Sequence, residues 1–266
     1  MSKGPADGRT VVITGASGGI GLAGARAFTA RGDTVYSLSR TAPDDPAIRH
    51  IPCDITSEES ARAAVDAVLL AAGRIDVLVL NAGVGVSGSA EHTPLSEIRR
   101  QFDVNFFGNV CVLQRALPGL RAHGGAVLFV SSVAANVAIP FQAYYSCVKA
   151  STSMLVLALR SELKPYPVRV AAVLPGDVKT GFTAARRKTE AGRDVYPAMQ
   201  SAIARMERDE TGGMPPSRIA DRLVRLSLSK NPKPLSTVGP FYKLVLALMK
   251  LLPARFGNWL VGLLYS

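Results

Sequence analysis

Residues 9–32 run from a short β-branched stretch, RTVVI, through Thr14-Gly15-Ala16-Ser17-Gly18-Gly19-Ile20-Gly21 into a helical pattern that ends near Gly32. Strand, glycine turn and helix in that order make a dinucleotide site. Glycines let the backbone approach a pyrophosphate, and the first turn of the helix offers free N–H groups at its positive dipole end. The spacing is G-x-x-x-G-x-G, counted over Gly15, Gly19 and Gly21, rather than the general G-x-G-x-x-G. A glycine turn that holds no ligand is the competing reading.

The same alternation continues along the chain. Residues 33–39 (DTVYSLS) read as a second strand ending at Ser39 and Arg40, and residues 48–53 as a third, followed by Asp54 and Ile55. Thr56 with Glu59 three residues on has the pattern of a capping box, opening a helix over 57–72 with Gly73 as its C-cap. Residues 75–80 (IDVLVL) form a nearly continuous apolar run, as in a strand covered on both faces, and it ends at Asn81-Ala82-Gly83. A long helix is predicted over 95–120, with Asn105 inside it and no capping role to explain it. Strands at 127–132 and 168–174 flank a helix over 144–163, and the second of them closes at Pro175-Gly176-Asp177-Val178-Lys179-Thr180. Strands alternate with helices, and the polar or glycine-rich features fall at strand C-ends. The pattern is a doubly wound, Rossmann-like parallel α/β sheet of about seven strands with one ligand crevice.

Tyr145 and Lys149 stand four apart, so on a helix they share one face. A nearby ammonium favours the ionised phenol, which brings a proton donor and acceptor toward neutral pH. That suits proton transfer to or from a carbonyl or alcohol. Ser132 closes the apolar run AVLFVS, where its hydroxyl could reach the same substrate oxygen. At the tip of the second strand an acid would hold the ribose hydroxyls of the adenosine, whereas an arginine suits a 2'-phosphate. No acid stands there, so Arg40 with Thr41 favours NADPH over NADH, with a solvated surface arginine as the alternative.

Composition narrows the class. Apolar residues make up 48% against 19% charged, the balance of a globular chain long enough for a sizeable core. Cys53, Cys111 and Cys147 are widely spaced and odd in number, which reads as buried thiols in a reducing, cytoplasmic setting. The three histidines are far apart with no Cys or His at ligand spacing, so no metal is expected. The net charge of +11 is spread along the chain and not interleaved with aromatics, so no nucleic-acid partner is expected either. The polar start, MSKGPADGR, lacks the apolar core of a secretion signal.

Taken in order and spacing, TGASGGIG, Asp54, the NAG at 81–83, Asn105, Ser132 thirteen residues before Tyr145, YSCVK and PGDVKT resemble the short-chain dehydrogenase/reductase superfamily in its compact single-domain branch. The likeness covers roughly residues 9 to 181. It implies that Tyr145 is the general acid or base and that Lys149 lowers its pKa and holds the nicotinamide ribose. It further implies that Ser132 orients the substrate oxygen and that Asn105 holds a water in a proton relay. Gly15, Ser17, Gly19, Ile20 and Gly21 would line the pyrophosphate, with Asp54 and Ile55 at the adenine. Asn81, Ala82 and Gly83 would sit at the adenosine ribose side, and Pro175, Gly176, Val178 and Thr180 near the nicotinamide. Arg40 matches the position where NADPH-preferring members carry a base, but a second basic position, inside the glycine turn, is Gly18 here. The usual Tyr-x-Ala-Ser-Lys is Tyr-Ser-Cys-Val-Lys, which changes packing and keeps both catalytic groups. A homodimer or homotetramer through the helices at 95–120 and 144–163 is the corresponding partner expectation.

The last third departs from this regularity. Residues 181–215 are charged and read as a substrate lid, 216–228 as a helix and 236–239 as a last strand, which closes a single domain over 1–240. Residues 241–265 are apolar on nearly every face, yet Lys243, Lys250, Pro253 and Arg255 interrupt them, so a spanning helix is rejected. The stretch is a pocket wall or subunit interface, an interfacial membrane anchor, or exposed tail. The expectation is an NADPH-dependent oxidoreductase that moves hydride to or from a carbonyl of a lipophilic small molecule, such as a steroid, retinoid-like or long-chain keto compound. A nucleotide-sensing protein without turnover is the alternative.

Overall fold

In the computed structural model, which describes residues 8–265, seven parallel strands form the central sheet. The N-terminal residues read above as a polar start lie, up to residue 7, outside the described part. In chain order the strands are β1 (Thr10–Thr14), β2 (Thr34–Ser39), β3 (Arg49–Pro52), β4 (Val77–Leu80), β6 (Gly125–Val130), β7 (Val168–Leu174) and β9 (Leu235–Thr237). A separate parallel pair joins β5 (Val86–Ser87) to β8 (Arg187–Lys188). In space the main sheet runs β3-β2-β1-β4-β6-β7-β9, so chain direction across it reverses between β1 and β4. Such a reversal leaves an open crevice at the strand C-ends, because the connections on either side lead away from each other.

The apolar runs are explained by the two faces. Val12, Leu78 and Val127 point to one core with α2 (Glu58–Ala72), α4 (Gly108–His123) and α5 (Ala143–Glu162). Their neighbours Val11, Ile13, Val77, Val79 and Leu128 point to the other, with α1 (Gly19–Thr29) and α7 (Pro216–Leu228). A strand with helices on both sides needs apolar side chains at successive positions, not alternate ones.

Three local expectations are corrected. The helix predicted over 95–120 is α3 (Leu95–Phe102), a π-helical turn over Asp103–Phe107, and then α4. The ladder is interrupted because the Gly108 N–H reaches back to the Asp103 carbonyl, and the Asn105 side chain is bonded to the backbone of Val84. The cap of α2 is Ser57, which accepts from the Ser60 N–H at 3.2 Å, because the Thr56 hydroxyl is already donated to Asp54. The pair β5 and β8 was not anticipated, each strand being only two residues long.

The segment after β7 holds α6 (Met199–Thr211), and the chain ends in α8 (Pro240–Leu251) and α9 (Ala254–Tyr265), parted at Pro253. Leu246 of α8 joins the first core cluster. Phe28 of α1 is fully buried against the sheet. Phe28→Ala should cost about 3–5 kcal/mol in urea unfolding, since it leaves a cavity between α1 and α7 that close-packed neighbours cannot fill.

Candidate functional site

Thr14 ends β1 with its side chain fully buried. Its hydroxyl accepts from the backbone N–H groups of Asn81 and Ala82 at 2.9 and 3.0 Å and donates to Asn109 Oδ1 at 2.8 Å. The Asn81 amide returns the link by donating to the carbonyls of Thr14 and Gly15 at 2.9 and 3.2 Å. The ends of β1 and β4 are thereby fixed to each other and to α4. Beyond this node opens a crevice of about 920 Å³, at the upper end of the range of small-molecule sites.

At one end of the crevice is the glycine turn. Gly15 and Gly19 have φ of 69° and 54°, a left-handed backbone that side chains oppose. Helix α1 starts there with no side-chain cap and no acid in its first turn, so its leading N–H groups are left for an anion. A Cβ at Gly18 would meet nothing within 4 Å, so space lies open above the turn. The turn therefore fits a pyrophosphate. Arg40 is exposed on the crevice at the tip of β2, with Asp54 across from it. The hydroxyl and then the N–H of Thr56 hold the Asp54 carboxyl below its usual range, with a smaller contribution from Arg40.

At the other end are Ser132, Tyr145 and Lys149. Ser132 follows β6 and accepts from the Ala134 N–H at 3.1 Å. Tyr145 and Lys149 come from the first turns of α5, and the Lys149 ammonium lies 5.7 Å from the centre of the Tyr145 ring. Lys149 Nζ donates to the Val130 carbonyl at 2.9 Å. Ser131 ties α5 down by donating to the Lys149 carbonyl at 3.1 Å. Burial governs the protonation of both groups. It pushes the Tyr145 phenol up to about 12, reinforced by the Glu210 carboxylate and opposed by Ser132 and Arg186. It pulls the Lys149 ammonium down to about 8. The expected lowering of the tyrosine by the lysine is thus absent from this arrangement, because desolvation outweighs it and the ammonium is turned to a carbonyl.

Of the residues predicted for the site, Gly15, Ser17, Gly19, Ile20, Arg40, Asp54, Ile55, Asn81, Ala82 and Gly83 line this one crevice. So do Ser132, Tyr145, Lys149, Pro175, Gly176, Val178 and Thr180. Two do not. Gly21 lies behind the turn, where an added Cβ would collide with the Gly15 carbonyl and the Asn81 amide. The Asn105 side chain spends both its polar atoms on Val84, accepting from its N–H at 2.7 Å and donating to its carbonyl at 2.9 Å. Its buried amide is thus a tie between the π-helical turn and the loop after β4. Sequence reasoning missed Thr14 and Asn109, and it missed Phe182 and Glu210 on the substrate side. Phe182 stands 5.9 Å from Tyr145, ring centre to ring centre, and the Arg186 guanidinium, ion-paired with Glu210, lies 5.6 Å from the centre of the Phe182 ring. Only Thr14, beside the first glycine, carried a sequence signal.

A family model described as short chain dehydrogenase matches residues 9–191. The chain belongs to the short-chain dehydrogenase/reductase superfamily. It is 31% identical over 262 residues to a 3-ketodihydrosphingosine reductase of Bacteroides thetaiotaomicron, covering 96% of this chain and 97% of that one. It is 30% identical over 269 residues to an NADPH-dependent 3-dehydrocapnine reductase of Ornithobacterium rhinotracheale, with 93% and 94% covered. A short-chain dehydrogenase of known structure from Streptomyces avermitilis superposes with a TM-score of 0.84 at 28% identity, over 96% of both chains. The protein is accordingly an oxidoreductase acting on carbonyl or hydroxyl groups.

The buried ammonium has a measurable signature. Folding lowers the Lys149 pKa from 10.5 to about 8, so between those values the unfolded chain holds the extra proton. Stability from this group must therefore rise as pH rises through that window. Relative to Lys149→Met, the wild-type protein should gain up to about 3 kcal/mol between pH 8 and 10.5 in urea unfolding. A pH-independent difference between the two proteins would show that the ammonium is not desolvated.

Proposed function

We propose that the protein is an NADPH-dependent reductase of a lipophilic ketone, with the reverse oxidation available to the same residues. The observation that carries this reading is the joining of Ser132, Tyr145 and Lys149 to Arg40 along one crevice that has no acid at the tip of β2. A bound nicotinamide supplies the hydride. Tyr145 donates its proton to the carbonyl oxygen as charge develops there, and Ser132 donates a hydrogen bond to the same oxygen. A phenol pushed up to about 12 is fully protonated at neutral pH and so carries the proton that reduction consumes. Lys149, held at about 8, remains an ammonium at neutral pH and would hold the ribose next to the nicotinamide. Arg40 takes the 2'-phosphate, and the N-terminus of α1 takes the pyrophosphate.

Residues 181–215 act as the lid, with Phe182, Ala185 and Glu210 already at the crevice wall. The reductase relatives act on 3-ketodihydrosphingosine and 3-dehydrocapnine by name, which supports a long-chain keto compound over a steroid or retinoid-like one. Exposed Phe107, Met154 and Leu157, in the π-helical turn and on α5, support a homo-oligomer built on that side. Peripheral contact with lipid and a reducing, cytoplasmic setting complete the reading, the latter supported by three free thiols.

Two substitutions test it. Tyr145→Phe should lower kcat by about 10²–10⁴-fold with cofactor affinity retained, since it removes only the transferred proton. Full turnover by that variant would sink the mechanism. Arg40→Ala should weaken NADPH binding by roughly ten- to a hundredfold in fluorescence titration and leave NADH binding unchanged. Equal loss for the two cofactors would remove Arg40 as the reader of the phosphate.

A further inference from the structure

Helices α8 and α9 have two unlike sides. Inward, the Tyr242 hydroxyl donates to Asp177 Oδ2 at 2.6 Å and accepts from the Asp177 N–H at 3.0 Å. Its ring covers Gly176 so closely that a Cβ there would run into it. Leu246 enters the main core, and Tyr265 packs on Met199, Ile203 and Met206 of α6. These contacts fix which sides of the helices face out. Outward, α8 shows Phe241, Leu244, Leu248 and Leu251, a stripe at helical spacing, with Leu251 82% exposed. On α9, Phe256 stacks on Trp259, which is 54% exposed. Of the sixteen large apolar side chains exposed among the described residues, eight lie at or beyond Phe241. A patch of that kind on a folded surface marks a contact.

Charge selects the partner. From Arg222 to the end the chain carries seven Lys or Arg and no Asp or Glu. Lys243, Lys250 and Arg255 are exposed beside the apolar stripes, and among the described residues none of them is ion-paired. A second copy of the chain meeting this face in a two-fold contact would set like charges against each other. An anionic lipid surface would take the side chains into its interface and the cations at its headgroups. Among the described residues no helix is long and apolar enough to cross a membrane, so the contact is lateral.

We infer that the outer face of α8 and α9 docks the protein on an anionic bilayer surface. Gly176 and Asp177, covered by Tyr242 from the inner side, also line the crevice, so docking sets the substrate end of the site one side chain from the lipid. The biological use of the docking rests on the lipophilic-substrate reading, whereas the binding itself does not.

The test is co-sedimentation of the full chain with vesicles of phosphatidylcholine alone and of phosphatidylcholine with one third phosphatidylglycerol. The expected result is pelleting with the anionic vesicles that weakens as salt rises. Leu248→Glu with Trp259→Glu should abolish it. Lys243→Gln, Lys250→Gln and Arg255→Gln together should weaken partition by about a hundredfold, and only for the anionic vesicles. Both variants should keep the wild-type melting temperature and full turnover of a small water-soluble ketone. Turnover of that ketone reads the reaction independently, so a failed mechanism and a failed docking surface give different patterns. Absence of pelleting by the wild-type chain overturns the inference, as does pelleting unchanged in both variants. An oligomer that falls apart in the Glu variant without vesicles, with no wild-type pelleting, would reassign the face to contact between copies.

Discussion

The site depends first on the buried hydroxyl of Thr14. One oxygen accepts from two successive N–H groups at the end of β4 and donates to Asn109 of α4, which joins three elements at the point where the strand order reverses. A buried hydroxyl with all of these bonds made is rigid, because breaking any one strands a polar group out of reach of water. Asn109 extends the tie by donating to the carbonyls of Ala82 and Asn105, and Asn105 passes it to Val84. The floor of the crevice is thus a chain of satisfied amides, and the π-helical turn is where the helix gives up regular bonding to take part in it.

On that floor the reactive groups are kept in costly states. Lys149 is almost fully buried as an ammonium whose visible partner is a carbonyl, and Tyr145 is held far from ionisation. Both are tolerated because α5 is anchored from below, through Ser131 to the Lys149 carbonyl and to the Ser153 hydroxyl at 2.9 Å. Phe141, just before α5, adopts a φ of 60°, an unfavourable backbone for a side chain with a large ring, on the approach to Tyr145. Strain, desolvation and a perturbed acid gather in one place, which is the physical signature of a site shaped for reaction and not for stability.

The C-terminal helices show how one segment meets two demands. Their inner side closes the wall over Gly176 and Asp177, and their outer side is apolar and flanked by cations. Pro253 divides the segment and gives each helix its own inner row, so the pocket-wall contacts and the apolar surface lie on opposite sides of the same helices.

Much of this was legible in the residues. Strand-wise apolar runs such as VLVL and VRVAAVL can only be covered on both faces, and glycine at positions 15 and 19 permits a left-handed backbone that other residues resist, so the doubly wound sheet and its phosphate turn follow from local chemistry. The four-residue spacing of Tyr145 and Lys149 placed them on one face of a helix for the same reason. What required the tertiary structure was everything that depends on surroundings. Burial, a property of the assembled neighbours, decided that Tyr145 is pushed up and Lys149 down. A long-range bond decided that Asn105 serves Val84. The pairing of residues 86–87 with 187–188, a hundred positions apart, left no local pattern at all. Sequence determined the elements and their periodicities because those arise between near neighbours, whereas the electrostatics and the outward side of the last helices arise only once distant segments share the same space.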